Sequence, residues 1–239
     1  LILTTGTGSI FGFLVAREAY DAAILAPMFI VMSFSFGLAI FILVLMGLYK
    51  WSNRPLGDAI LRRLKNLLGV FIAAVLYFVL AYHLTNLYIT QHHGVEQFIL
   101  MDGGVYTQLF WIVQIGLGSL LPLALLYLPA TGNSRGWIGI ASLLVIIGGL
   151  AQMYITIIGG QAYPMELFPG KEVSSAFYDG VVAPYAPSLP EIVLGIGGIG
   201  IALAATVVGV RVLRFLPVSL ADDQVDPHYP AGKSAETSA

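Results

Sequence analysis

The sequence predicts an all-α integral membrane protein: a multi-span helical bundle of five full transmembrane helices, preceded by the end of another. Three observations carry this prediction. Of the 239 residues, 58% are hydrophobic and only 10% are charged, against roughly 25% charged in a soluble domain. The mean hydropathy is +0.87. Uninterrupted apolar runs recur at a length of about 20 residues, which spans a hydrocarbon core of about 30 Å.

The first element is the apolar opening "LILTTGTGSIFGFLV". It has no basic flank and no cleavage site of a signal peptide. Residues 1 to about 13 read as the tail of a span that begins upstream, and 1–25 as that tail plus an outer loop. Full spans follow at 26–49, 67–90, 106–128 and 137–160, so 26–160 reads as a four-helix transmembrane bundle. A long loop, 161–190, leads to a last span at 191–214, and the polar stretch 215–239 reads as a disordered cytoplasmic tail. In the last span Gly200 with Ala204 and Ala205 with Gly209 repeat small residues at the spacing used for helix packing.

Lysine and arginine set the expected orientation. Lys50, Arg54, Arg62, Arg63, Lys65, Arg135, Arg211, Arg214 and Lys233 fall on one side, and only Arg17 and Lys171 on the other. Positive residues mark the cytoplasmic side. The C-terminus is therefore expected in the cytoplasm. The loop 161–190 then lies outside.

Polar side chains inside spans are costly, and an ionisable one is a functional candidate by default. His83 is the ionisable side chain deepest within a span, with Asn86 following at i+3. Ser33, His83, Gln114 and Gln152 lie seven or eight residues from the outer ends of four different spans, about 10 Å deep. Two readings stand side by side: a shared polar pocket or proton path, and separate interhelical hydrogen bonds. Arg17, Glu18, Tyr20 and Asp21 form an outer-face cluster after the first apolar run, a functional group of residues or an ordinary interfacial loop with an aromatic anchor.

Further candidates sit at the outer face: His92, His93, Glu96, Tyr163, Glu166 and Glu191. Adjacent histidines cannot reach one metal from a single regular helix, and His83 lies about 13 Å along the helix from His92. Ser188-x-x-Glu191 with Pro190 reads as a capping box opening the last span. Asp102 reads as a cap for the third span. In "GGQAYPMELFPGKEV" the prolines stop the preceding helix and the glycines allow turns, and a docking surface accounts for the elaboration. The chain has no cysteine, which excludes disulfides, thiolate-held iron–sulfur clusters and covalently attached c-type haem.

Longer motifs carry a resemblance. "GTGSIFGFLVAREAY" followed by "LAPMFIVMSFSFGLAI", then "VEQFILMDGGVYTQLFWIVQIGLGSLLPL", resemble the NrfD/PsrC-like polysulfide-reductase membrane subunits. "GGQAYPMELFPGKEVSSAFYDGVVAPYAPSLPEI" is most similar to the DsrP-type branch of sulfite-reduction-associated complexes. The resemblance implies the second four-helix bundle and last helix of a ten-span fold. It implies a membrane subunit of an oxidoreductase complex in sulfur metabolism that reacts with a quinone, menaquinone or ubiquinone, and holds no metal or haem itself. Implied partners are a periplasmic ferredoxin-like iron–sulfur subunit, a multihaem cytochrome c, and a membrane haem b subunit with a cytoplasmic iron–sulfur partner. No nucleic-acid partner is expected. The resemblance places the main quinone site in the first bundle, whose rim here is the Arg17–Asp21 region, and leaves His83 and its layer to protons, with proton translocation as a possible accompaniment. A structural membrane anchor is the alternative; a transporter fits less well, because mid-span charges are absent.

Overall fold

The computed structural model describes residues 1–164, 181–183, 185–213, 216–226 and 229. The apolar runs form helices because a backbone in lipid must satisfy its own hydrogen bonds. In chain order these are α1 (Ile2–Gly12), α2 (Leu25–Trp51), α3 (Asp58–Tyr88), α4 (His93–Gln97), α5 (Val105–Tyr127), α6 (Arg135–Ala162), α7 (Leu189–Leu213) and α8 (Asp222–Val225). Five of them, α2, α3, α5, α6 and α7, are long and apolar enough to cross a membrane. The protein is a multi-pass membrane protein.

Helices α2, α3, α5 and α6 pack as a bundle. Their inward faces repeat every three or four residues: Met28, Met32, Ser35, Ala39 and Ile42 on α2, and Leu68, Ile72, Val75, Val79 and Tyr82 on α3. Hydropathy does not mark these faces, because the lipid-facing residues are equally apolar. Small and polar residues mark them instead. At the α5–α6 crossing, Gly118 and Gly148 meet backbone to backbone, and a Cβ on either would collide with the other. The small-residue spacing in α7 has no such partner: a Cβ at Gly200 or Gly209 meets nothing, and α7 is exposed along most of its length among the described residues.

α5 and α6 contain wide turns of the i→i+5 kind, over Leu109–Leu120 and Ile155–Gly159. Ser119 Oγ donates to the Gln114 carbonyl five residues back at 2.9 Å, taking up a group that the widened turn displaces. α5 begins after Gly104, whose φ of +57° suits glycine. Asp102 does not cap it. Its carboxylate accepts from Gln97 Nε2 at 2.7 Å instead.

The basic end of the bundle carries Lys50, Arg54, Arg62, Arg63, Lys65 and Arg135, and the acidic end carries Glu18, Asp21, Glu96 and Asp102. At the basic end, α3 begins at Asp58, well before the apolar run. Ala59 N–H donates to Asp222 Oδ1 at 2.8 Å, capping that first turn from a distant segment. Gly57 N–H donates to the Leu220 carbonyl at 2.7 Å, and Arg54 to the Leu216 carbonyl at 2.9 Å. Residues 216–226 therefore depart from the expected disordered tail: they are pinned to the α2–α3 turn, because Asp222 satisfies a helix end and Leu216 and Leu220 join the core there. Residues 227–228 and 230–239 lie outside the described residues, as does 165–180, most of the long loop.

Candidate functional site

The acidic end of the bundle is tied together by the loop between α1 and α2. Arg17 donates to the Gln161 carbonyl at 2.8 Å, and Tyr20 OH to the Ile157 carbonyl at 2.8 Å. Tyr20 is buried, and burial pushes its phenol above the usual range, so it stays a donor. Arg17 and Tyr20 thus hold the loop onto α6. Glu18 and Asp21 are half-buried beside them. Tyr163 packs on Phe98 with ring centroids 5.6 Å apart and touches Gly94, where any side chain would displace it.

Beneath this cap lies a buried polar network. α3 places Tyr82, His83 and Asn86 near its acidic end, within about one helical turn of each other. The helix stops at Ile89, whose backbone is extended. A short turn over Thr90–His92 then reverses the chain, and α4 returns against α3. This reversal puts Glu96 below the helix end. Its Oε2 lies 2.6 Å from His83 Nδ1, and its Oε1 accepts from Asn86 Nδ2 at 2.9 Å. His92 Nδ1 lies 3.2 Å from Asn86 Oδ1. Asn86 donates from Nδ2, so His92 must donate from Nδ1. Tyr82 OH donates to the Ala19 carbonyl at 2.8 Å, joining the network's helix to the Arg17 loop.

Glu96 therefore lies at the acidic end with its side chain buried rather than facing out. It is 1% exposed, while the His83 side chain is 13% exposed. A carboxylate this buried needs partners, and His83 and Asn86 supply both oxygens. His93 points the other way, its Nε2 2.8 Å from the Leu87 carbonyl. The two adjacent histidines therefore face different environments. Among the described residues no three of His, Asp and Glu gather as a metal-binding group.

His83, Gln114 and Gln152 line one cavity of about 30 Å³, with Tyr82, Phe110 and Thr156. Gln114 and Gln152 also line a second of about 10 Å³, with Ser35 and Ser119. These volumes suit one or two waters and not a quinone ring. Ser33 does not join them. It is half-buried and donates to the Phe29 carbonyl of its own helix at 2.9 Å. The helical period turns position 33 away, and Ser35 stands in the layer instead. A larger cleft of about 380 Å³ opens at the acidic end between Tyr106, Tyr154 and Tyr185, within the size range of small-molecule sites. Glu191 accepts from the Ser188 N–H at 2.7 Å and from Tyr185 OH at 3.3 Å, which places it as a cap on α7. Glu166 lies outside the described residues.

Sequence comparison places this architecture among known proteins. The profile of the family described as Polysulphide reductase, NrfD, matches residues 1–165. The chain belongs to the NrfD family. It is 29% identical over 229 residues to the Hdr-like menaquinol oxidoreductase integral membrane subunit of Archaeoglobus fulgidus, covering 95% of this chain and 58% of that protein. It is 30% identical over 229 residues to a subunit of the selenate reductase of Mesobacillus selenatarsenatis, covering 95% of this chain and 51% of that one. The chain thus spans about half the length of these relatives. No solved structure matches.

Proposed function

We propose that this chain is part of a quinone-reactive membrane subunit of a respiratory redox complex. It exchanges electrons between the quinone pool and an iron–sulfur partner docked at the acidic end, which faces the periplasm, with the C-terminus in the cytoplasm. NrfD-family membership carries the reading, together with relatives whose names record a menaquinol oxidoreductase and a selenate reductase. Menaquinone is the favoured quinone on the first of those names. Sulfur metabolism, with a multihaem cytochrome c and a haem b subunit as further partners, rests on the likeness of residues 159–192 to DsrP-type subunits.

The chemistry requires two protons to leave each quinol as two electrons depart, and so a proton acceptor near the reacting hydroxyl. The Arg17–Asp21 loop borders the quinone site, with Glu18 and Asp21 as the rim acids. The water-sized cavities at His83, Gln114 and Gln152 do not admit a quinone ring, so this layer handles protons. Proton translocation would require it to communicate with both membrane faces.

The test is quinol-driven reduction of the partner's iron–sulfur cluster in the intact purified complex, followed by electron paramagnetic resonance. Reduction that a quinone-site inhibitor abolishes is the expected result. An intact complex whose cluster stays oxidised with quinol present would leave the chain as a structural anchor.

A further inference from the structure

We infer that the Glu96–His83 pair is a proton-exchange site open to the acidic end of the bundle and sealed from the basic end. This deepens the proposed function and takes from it the orientation of the acidic end, but it needs no bound quinone.

The first argument is chemical. With one proton fewer, His83 Nδ1–H donates to the Glu96 carboxylate. With one proton more, the pair is an imidazolium beside a carboxylate, or a carboxylic acid donating to Nδ1. The 2.6 Å contact survives in both states. The second carboxyl oxygen stays bonded to Asn86 Nδ2 throughout. A proton enters or leaves without breaking any hydrogen bond of the network, and the same proton returns to the water it came from.

The second argument is access. Glu96 sits in a turn whose neighbours Gln91, His93, Gly94 and Gln97 are all exposed at the acidic end. The partly exposed His83 ring lines the cavity shared with Gln114, Gln152 and Thr156. Water therefore needs to cross little protein to reach the pair.

The third argument is the seal. Beyond the cavity at Ser35 and Ser119 the inward faces continue as Ala39, Ile42, Leu68, Leu126 and Ile138, all buried. Ser142 is buried among them, but its hydroxyl donates to the Ile138 carbonyl of its own helix. Lys65, at the basic end, donates to the Gly132 carbonyl at 2.6 Å. A water needs two to four polar partners to stay in such a place, and among the described residues this stretch offers only the Ser142 hydroxyl. Protons reaching Glu96 from outside stop there.

The test uses the intact complex in oriented proteoliposomes, without quinone, and infrared spectroscopy of the carboxylic-acid, carboxylate and imidazole bands, so that the proton is read on whichever partner carries it. The expected result is a band that titrates with the pH on the acidic side, ignores the pH on the basic side, and is lost in Glu96→Gln. Glu96→Asp keeps a carboxyl on a shorter arm and is expected to shift the band; it serves if the glutamine variant fails to assemble. Absence of any band sensitive to position 96, or a band that follows the basic-side pH, overturns the inference. Because quinone is absent, a negative result here leaves the quinone reading standing, and a failed quinol titration leaves this one standing.

Discussion

Glu96 has exposed neighbours at Gly94 and Gln97, yet its own side chain is buried against α3. Sequence placed it at the surface because it lies between spans. Nothing in a hydropathy profile reports that the extended backbone at Ile89 and the turn after it fold α4 back onto α3. His83 and Asn86 were legible, since polar residues inside an apolar run stand out; their partner was not. Asn86→Leu is expected to destabilise the protein by roughly 1–3 kcal/mol, because it strands a Glu96 oxygen and His92 Nδ1 at once. Glu96→Gln is expected to cost less, since an amide can still donate to His83 and accept from Asn86. Thermal unfolding in detergent compares the two, and equal losses would mean that the bonds at Asn86 carry no weight of their own.

At the scale of elements, the positions of the spans were plain from apolar runs, and their inner faces were not. A soluble helix shows its core face as an apolar stripe. Here both faces are apolar, and the inside is marked by Ser35, Gln114, Ser119 and Gln152 and by the Gly118–Gly148 contact. His83, Gln114 and Gln152, counted to one depth along their spans, line one cavity, whereas the helical phase of Ser33 turns it away. Spacing of small residues pointed to α7, where no described residue packs on Gly200 or Gly209. Gly148→Leu is expected to force α5 and α6 apart and cost about 1–3 kcal/mol or more by overpacking, read as a lowered unfolding midpoint. Gly200→Leu, with open space around it, is expected to cost far less. Asp222→Ala removes the side-chain acceptor at the start of α3, with a loss of about 1 kcal/mol and faster protease cutting within 216–226.

At the scale of the whole molecule, the bundle is divided along its axis. The acidic end is polar, hydrogen-bonded and tied to α6 by the Arg17 loop, and the basic half is packed with aliphatic side chains and latched by residues 216–226. This asymmetry suits chemistry at one face only. The central claim, a quinone-reactive subunit with its site at the Arg17 rim, is tested most directly by a fluorescence-quench titration of the purified complex with a quinol analogue. Wild type is compared with Arg17→Ala and His83→Ala. The account predicts saturable quenching that weakens at least several-fold in Arg17→Ala, where the loop loses its hold on Gln161, and that His83→Ala leaves nearly unchanged. Saturable quenching lost in His83→Ala alone would put the quinone in the inner layer, and no saturable quenching in the wild type would contradict the claim outright.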